Sequence, residues 1–184
     1  IGIFKDNQII ISVAAGITIE SIKNFIQKDV LIARAMPNLC AVFNESITGL
    51  CMQEEINNSQ KDFVESIFKN IGYVRRISED DMHSFTALYG SGPAYIMYFI
   101  ESLIKCTDFD SINKDDKALL ILQLLNSTSK LLLTTNDIEN LRSRVTSKGG
   151  TTEAAIKILE ENDFSGIIEK AIQNAKKKSI DLSK

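Results

Sequence analysis

Apolar residues follow two rhythms along this chain: short unbroken runs before about residue 80, and long stripes at helical spacing after it. A compact apolar run bounded by turn residues reads as a buried strand, whereas apolar positions three and four apart read as one face of a helix. Gln8 to Val13, between Asp6-Asn7 and Ala14-Ala-Gly16, predicts a buried parallel strand. Thr18 then caps a helix with Ile19, Ile22 and Phe25 or Ile26 on one face. Val30 to Ala35 predicts the next strand, ended by Pro37-Asn38, and Gly49 to Met52 adds another. Lys61 to Asn70 has helical spacing through Phe63, Ile67 and Phe68, and Gly72 to Ile77 reads as a short final strand.

Beyond Asp81 the strand patterns stop. Helices are predicted from Pro93 to about Cys106, Lys114 to about Thr134, Thr152 to about Glu161 and Gly166 to about Leu182. The fold class is therefore α/β followed by all-α, divided as residues 1–80 and 81–184, with the boundary near 78 to 84. The helix from Lys114 carries Ala118, Leu119, Ile121, Leu122, Leu124, Leu125 and Leu131 to Leu133, an apolar coat wider than one packing stripe. A small helical domain offers little interior to cover such a coat, so burial against a second subunit is expected.

At 184 residues and 44% hydrophobic content, the chain can bury the core of one large or two modest domains. A net charge of −3 with mixed signs gives no basic field, which argues against a nucleic-acid partner. The run Lys176 to Lys178 reads as a solvated helix end. No apolar run approaches the roughly 20 residues of a membrane span and no signal peptide is visible, so no membrane association and a cytoplasmic location are expected. Cys40, Cys51 and Cys106 are few and widely spaced, as reduced thiols are, and match no zinc spacing; no metal site is expected. The single histidine, His83, reads as a surface or capping residue rather than a general base.

Two stretches carry candidate chemistry. In Thr86-Ala-Leu-Tyr-Gly-Ser-Gly-Pro-Ala-Tyr95, glycines and Ser91 precede Pro93, whose ring is pre-set for a first helical turn. In Val145-Thr-Ser-Lys-Gly-Gly-Thr-Thr152, Gly149 and Gly150 permit close backbone approach, and Thr151 and Thr152 set hydroxyls beside the free amides of a helix start. Taken singly, each is open to two readings, an ordinary helix cap or an entrance facing an anion.

Together and in this order, the two stretches resemble the signature of the pyrroline-5-carboxylate reductases, which reads Thr-Ala-x-Ser-Gly-Ser-Gly-Pro-Ala-Tyr and then Val-Thr-Ser-Pro-Gly-Gly-Thr-Thr. The resemblance extends to Ile11-Ser-Val-Ala-Ala-Gly-Ile-Thr-Ile19, Arg34-Ala-Met-Pro-Asn38 and Glu45 to Leu50. It implies the C-terminal part of a doubly wound, parallel-sheet dinucleotide-binding domain, followed by a helical domain that forms a homodimer or a higher homo-oligomer. It further implies reduction of the C=N bond of 1-pyrroline-5-carboxylate to proline with NADPH or NADH. By resemblance, Ala14, Ala15, Pro37 and Asn38 flank the cofactor, and Ser91, Ser147, Gly149, Gly150, Thr151 and Thr152 bind the substrate. The Thr152 hydroxyl would meet the ring nitrogen as the catalytic contact, and the Thr151 amide would meet the carboxylate.

The chain departs from the pattern at Tyr89, where serine is usual, and at Lys148, where proline is usual; Thr135 and Arg144 stand where some members have glutamate and asparagine. The Gly-x-Gly-x-x-Gly turn that grips a pyrophosphate is not in this sequence, so the resemblance implies that most of the adenosine-holding half lies outside it. Two other readings stand beside the reductase: a non-catalytic relic or dimerisation module of the same family, and another two-part dehydrogenase acting on a hydroxy acid. The last would normally present a catalytic lysine in its helical half, and none announces itself.

Overall fold

The computed structural model describes residues 4–106 and 111–183. Two βαβ units lie side by side in one four-stranded sheet of order β1-β2-β3-β4. The first is β1 (Ile9–Ser12), α1 (Ile19–Ile26) and β2 (Leu31–Met36); the second is β3 (Ser46–Met52), α2 (Asn58–Lys69) and β4 (Gly72–Arg76). Within each unit the strands are parallel, Ser12 opposite Arg34 and Ser46 opposite Gly72. The units join through an antiparallel pairing of β2 with β3, Met36 opposite Gly49, so the sheet is mixed rather than wholly parallel. A 3-10 turn, Leu39–Phe43, makes that reversal.

Local chemistry sets the element ends. Thr18 Oγ1 accepts from the Ser21 amide at 3.0 Å, the N-cap expected of it. Asn57 and Gln60 exchange two 3.0 Å bonds as a capping box, starting α2 earlier than its apolar spacing alone indicates. Strand β3 also starts earlier than expected, because its first residues are polar yet buried: Ser46 and Thr48 are both 0% exposed. Their hydroxyls lie 3.3 Å apart, and Ser46 Oγ accepts from the Asn38 amide at 3.0 Å, so burial leaves neither unpaired. At Gly72, φ is 139° and an added Cβ would stand 2.2 Å from the Ser46 carbonyl oxygen; glycine is what lets β4 pair there.

Alternation along β2 supplies the core on both faces. Ala33 and Ala35 pack with Leu50, Ile56, Val64 and Phe68, which places α2 on one side. Ile32 packs with Ile26 and Val30 beside α1, and Met36 packs with Cys51, Met82 and Phe85 beside α3 (Met82–Phe85). Helices thus cover both faces, the doubly wound arrangement.

The remaining helices are α4 (Gly92–Lys105), α5 (Lys114–Leu132), α6 (Ile138–Arg144), α7 (Thr151–Glu161) and α8 (Phe164–Asp181). Four of the five match sequence expectation; α6 does not appear in it. The chain forms two compact units: residues up to Ala94 together with those from Lys170 onward, and Tyr95–Glu169. In the first, Ser179 of α8 is buried and its hydroxyl lies 2.9 Å from His83 Nδ1. In the second, Ile121 is the one buried apolar side chain among the described residues, while Leu119, Leu120, Leu122, Leu124 and Leu131 of α5 are exposed in the single chain.

Candidate functional site

Strands β1 and β2 are parallel, so the loops that leave their carboxyl ends emerge on the same edge of the sheet, where open α/β folds bind ligands. The first loop presents Ala14 and Ala15, both exposed. The Ala14 amide donates to Ser12 Oγ at 3.3 Å. The second presents Pro37 and Asn38, both half-buried. Asn38 is held on three sides: its amide on Ser46 Oγ, its Oδ1 accepting from the Cys40 amide at 3.1 Å, and its Nδ2 donating to the Tyr89 carbonyl at 3.1 Å. That last bond ties the second loop to the first signature stretch, and so to Ser91.

The first signature forms a π-helical turn over Thr86–Gly90, closed by the Ser91 amide donating to the Thr86 carbonyl at 2.9 Å, five residues back. The Thr86 hydroxyl donates to the Met82 carbonyl at 2.7 Å, which makes it a backbone tie. Tyr89 stacks on Phe85 with ring centroids 4.8 Å apart, giving the departure from serine a packing role. Gly92 has nothing within 4 Å of where a Cβ would stand, so the helix start beyond Ser91 is open.

In the helical unit, Thr146 closes α6 by donating its hydroxyl to the Arg142 carbonyl at 2.8 Å. Ser147 to Gly150 then form a tight turn, the Gly150 amide donating to the Ser147 carbonyl at 3.0 Å and Gly149 at φ 74°. The Gly149 amide donates to Glu153 Oε2 at 2.7 Å. Both glycine amides are therefore engaged within the loop. Helix α7 begins at Thr151 with Gly150 as N-cap and no side-chain cap, which leaves the amides of Thr151, Thr152 and Glu153, ahead of the first helical bond from Ala154, as the ones an anion could meet. A cleft of about 770 Å³ opens beside this turn, lined by Arg142, Thr146, Gly149, Gly150, Glu153 and Lys157 among others. Ser147 and Thr151 are exposed and Thr152 is half-buried.

Sequence reasoning missed the ion pair beneath the first loop. Arg34, whose side chain is 3% exposed, donates to Glu79 Oε1 at 2.8 Å, and the same oxygen accepts from the Ile19 amide at 2.7 Å. The partners are 45 and 60 residues from Glu79, beyond the reach of any local pattern. Around them, burial foremost and then the Glu79 charge push the Cys51 thiol up. Burial foremost and then Arg34 hold His83 below the usual imidazole range. Glu153 left a readable trace, an acid in the first turn of a predicted helix. Among the described residues no group of histidine, cysteine and carboxylate side chains is placed to hold a metal, and no helix is long and apolar enough to cross a membrane.

A helix-flanked α/β sheet with open loops at its strand ends is followed along the chain by a helical unit whose apolar side chains are exposed in the single chain, the plan of a two-part α/β and all-α protein. Residues 79–182 match the family model for pyrroline-5-carboxylate reductase dimerisation. Pyrroline-5-carboxylate reductase 2 of Bacillus subtilis (strain 168) is 33% identical over 177 residues, 96% of this chain and 64% of the relative. Pyrroline-5-carboxylate reductase of Staphylococcus aureus (strain COL) is 35% identical over 182 residues, 98% and 67% respectively. The crystal structure of the Plasmodium falciparum pyrroline carboxylate reductase with NADP bound superposes with a TM-score of 0.90 at 28% identity, covering 96% of this chain and 70% of that one. The chain belongs to the pyrroline-5-carboxylate reductase family. It spans about two thirds of the length of the curated relatives it matches.

Proposed function

We propose that this chain acts as part of a pyrroline-5-carboxylate reductase, reducing 1-pyrroline-5-carboxylate to L-proline with NADPH or NADH as a homo-oligomer built through its helical domain. The division into a dinucleotide-binding part, 1–80, and a dimerisation and substrate part, 81–184, belongs to the same proposal. Family membership supports it, and the Plasmodium falciparum relative is a structure with NADP bound. The observation that carries it is the start of α7, where no side chain caps the first-turn amides of Thr151 and Thr152 while the glycine amides of the preceding turn are already engaged.

Small residues at both strand ends fit a flat ring. Ala14 and Ala15 project nothing beyond Cβ, and Asn38 is fixed by three hydrogen bonds, so the loops can hold a nicotinamide without rearranging. The dinucleotide, when bound, supplies the hydride. This chain's share is binding and orientation. The Thr151 amide receives the substrate carboxylate at the positive end of α7. The Thr152 hydroxyl meets the ring nitrogen, Ser147 adds a hydroxyl, and Ser91 with the open Gly92 shapes the side nearest the ring. Net reduction adds a hydride to the imine carbon while the nitrogen takes its protons from water, one of them before hydride transfer where the substrate is the iminium, so a hydroxyl fixed at the nitrogen orients the reacting carbon. Such positioning is worth up to roughly 7–11 kcal/mol in well-oriented systems.

The test is initial-rate kinetics of the full gene product, following nicotinamide absorbance with the imino acid as substrate. Thr152→Ala is expected to lower kcat/KM by about tenfold or more while far-UV circular dichroism stays unchanged, the cost of one hydrogen bond to a developing charge. An unchanged rate would remove Thr152 from its role. Dimerisation without saturable dinucleotide binding would favour the non-catalytic module.

A further inference from the structure

We propose that Glu79 is a positioning residue for the dinucleotide, acting through the loop of residues 13–18. This rests on the reading of Ala14 and Ala15 as cofactor-side. The loop is held at both ends by one residue, Arg34, through its backbone at the entry and through its side chain and Glu79 at the exit. At its entry, Ser12 pairs in register with Arg34. At its exit, the Ile19 amide, the first of α1, donates to Glu79 Oε1, which also accepts from the Arg34 guanidinium. Arg34 is almost wholly enclosed while the Glu79 side chain is 36% exposed, and it is the two hydrogen bonds to Oε1, from Arg34 and from the Ile19 amide, that hold the carboxylate in place.

Two consequences follow from the geometry. With the Ile19 amide taken by Glu79 and the Ser21 amide by Thr18, two of the three first-turn amides of α1 are engaged from within the protein. A dinucleotide phosphate is not what this helix start is arranged to receive; its amides serve to fix the loop, and the loop serves the ring. Glu79 also lies on the segment that leads from β4 into α3 and the π-turn, so one carboxylate sets the first cofactor loop relative to the stretch that carries Ser91.

The measurement is the dinucleotide Kd by nicotinamide fluorescence, with kcat and both KM values, on the full gene product. Glu79→Ala removes the acceptor. Ile19→Pro removes the donor, at a first helical position where proline is tolerated and after a Thr18 already extended at φ −80°, ψ 161°, and it leaves the Arg34 pair whole; Ile19→Ala, which trims the same core-packed side chain but keeps the amide, is its control and is expected to leave the dinucleotide Kd within about twofold of the parent. Glu79→Ala and Ile19→Pro are both expected to raise the dinucleotide Kd by about tenfold, with the imino-acid KM and saturated kcat within about twofold of the parent. Glu79→Gln, which keeps a carbonyl acceptor, is expected to recover most of that loss. Where Glu79→Ala does not fold, Ile19→Pro decides. Ala15→Asp, which sets a charge on the exposed loop, separates the two levels of the argument. If it weakens dinucleotide binding while Ile19→Pro and Glu79→Ala do not, the positioning role alone is wrong. If it changes nothing, the cofactor reading of the loop is wrong and the role of Glu79 falls with it. An equal loss in imino-acid KM for Ile19→Pro would also overturn the proposal.

Discussion

Replacing Gly72 by alanine tests how tightly the join between β3 and β4 is packed, and with it the hold on Asn38 at the end of β2. The added Cβ would stand 2.2 Å from the Ser46 carbonyl oxygen, 2.4 Å from its nitrogen and 2.9 Å from its carbonyl carbon. Unbonded carbons settle at roughly 3.5–4.0 Å, and every atom met here is backbone, so no side chain can rotate out of the way. The φ of 139° adds conformational strain of about 1–3 kcal/mol to an overpacking cost of about 1–3 kcal/mol, for a total of about 2–6 kcal/mol. The damage should spread by a known route. Ser46 donates its amide to Ile71 at 2.8 Å and accepts the Asn38 amide at 3.0 Å, so displacing it loosens Asn38 as well. Urea unfolding followed by far-UV circular dichroism reads the loss as a lower midpoint at unchanged slope. Gly92→Ala is the control, since a Cβ there meets nothing within 4 Å, and it should stay within about 0.5 kcal/mol of the parent or gain slightly. Equal midpoints for the two variants would refute the steric argument.

Ser147 to Gly150 has the positive φ at its third residue that marks a type II turn, whose second position favours proline; Lys148→Pro should therefore raise stability by about 0.4–1 kcal/mol in the same unfolding assay and tighten the imino-acid KM. His83 is held below its ordinary pKa, so the unfolded chain binds the proton more readily; its contribution is intact above about pH 6.5 and is lost as pH falls through the folded value. Melting temperatures of His83→Gln across pH 5 to 8 should accordingly fall less steeply toward acid than those of the parent, and parallel curves would contradict it. Leu124, exposed in the single chain on α5, should lie in the subunit interface; Leu124→Glu is expected to raise the dimer dissociation constant at least about tenfold, as read by light scattering, because a carboxylate would have to be desolvated there.

What the chain reveals before folding is the part of its physics that is local. Strands β1, β2 and β4 are legible because their apolar runs are bounded by turn residues, and α4, α5, α7 and α8 because their stripes persist over several turns. The start of β3 is illegible for the converse reason. Ser46 and Thr48 are buried polar residues whose hydroxyls satisfy each other and Asn38, and no hydropathy pattern distinguishes such residues from a surface turn. Helix α6 offers only Ile138 and Leu141 as an apolar pair across barely two turns, although Asp137, whose Oδ1 accepts the Asn140 amide at 2.9 Å, was a cap in plain sight. Of the candidate site, the glycine turn and Thr151-Thr152 are visible as residue types at a helix start. The engagement of Gly149 by Glu153 is not, because a first-turn acid serves equally well as a dipole partner.

The same distinction explains where the sequence can tolerate departure from its family's pattern. Tyr89 replaces a serine on a π-turn whose closure is made by backbone, Ser91 to Thr86, and whose link to Asn38 uses the Tyr89 carbonyl rather than its side chain. The ring can therefore turn onto Phe85 without disturbing what holds the second loop. Lys148 sits at the one turn position where proline would pre-set φ, and the turn nonetheless closes through Gly150 to Ser147. In both places the backbone carries the turn geometry, so a change of side chain forfeits only that side chain's own packing, for Tyr89 its contact with Phe85. At Gly72 and at the Glu79–Ile19 contact the opposite holds, since a Cβ would strike backbone in the first and only an acceptor at one distance serves the second. Substitution should therefore be costly at these two positions and cheap at Tyr89 and Lys148.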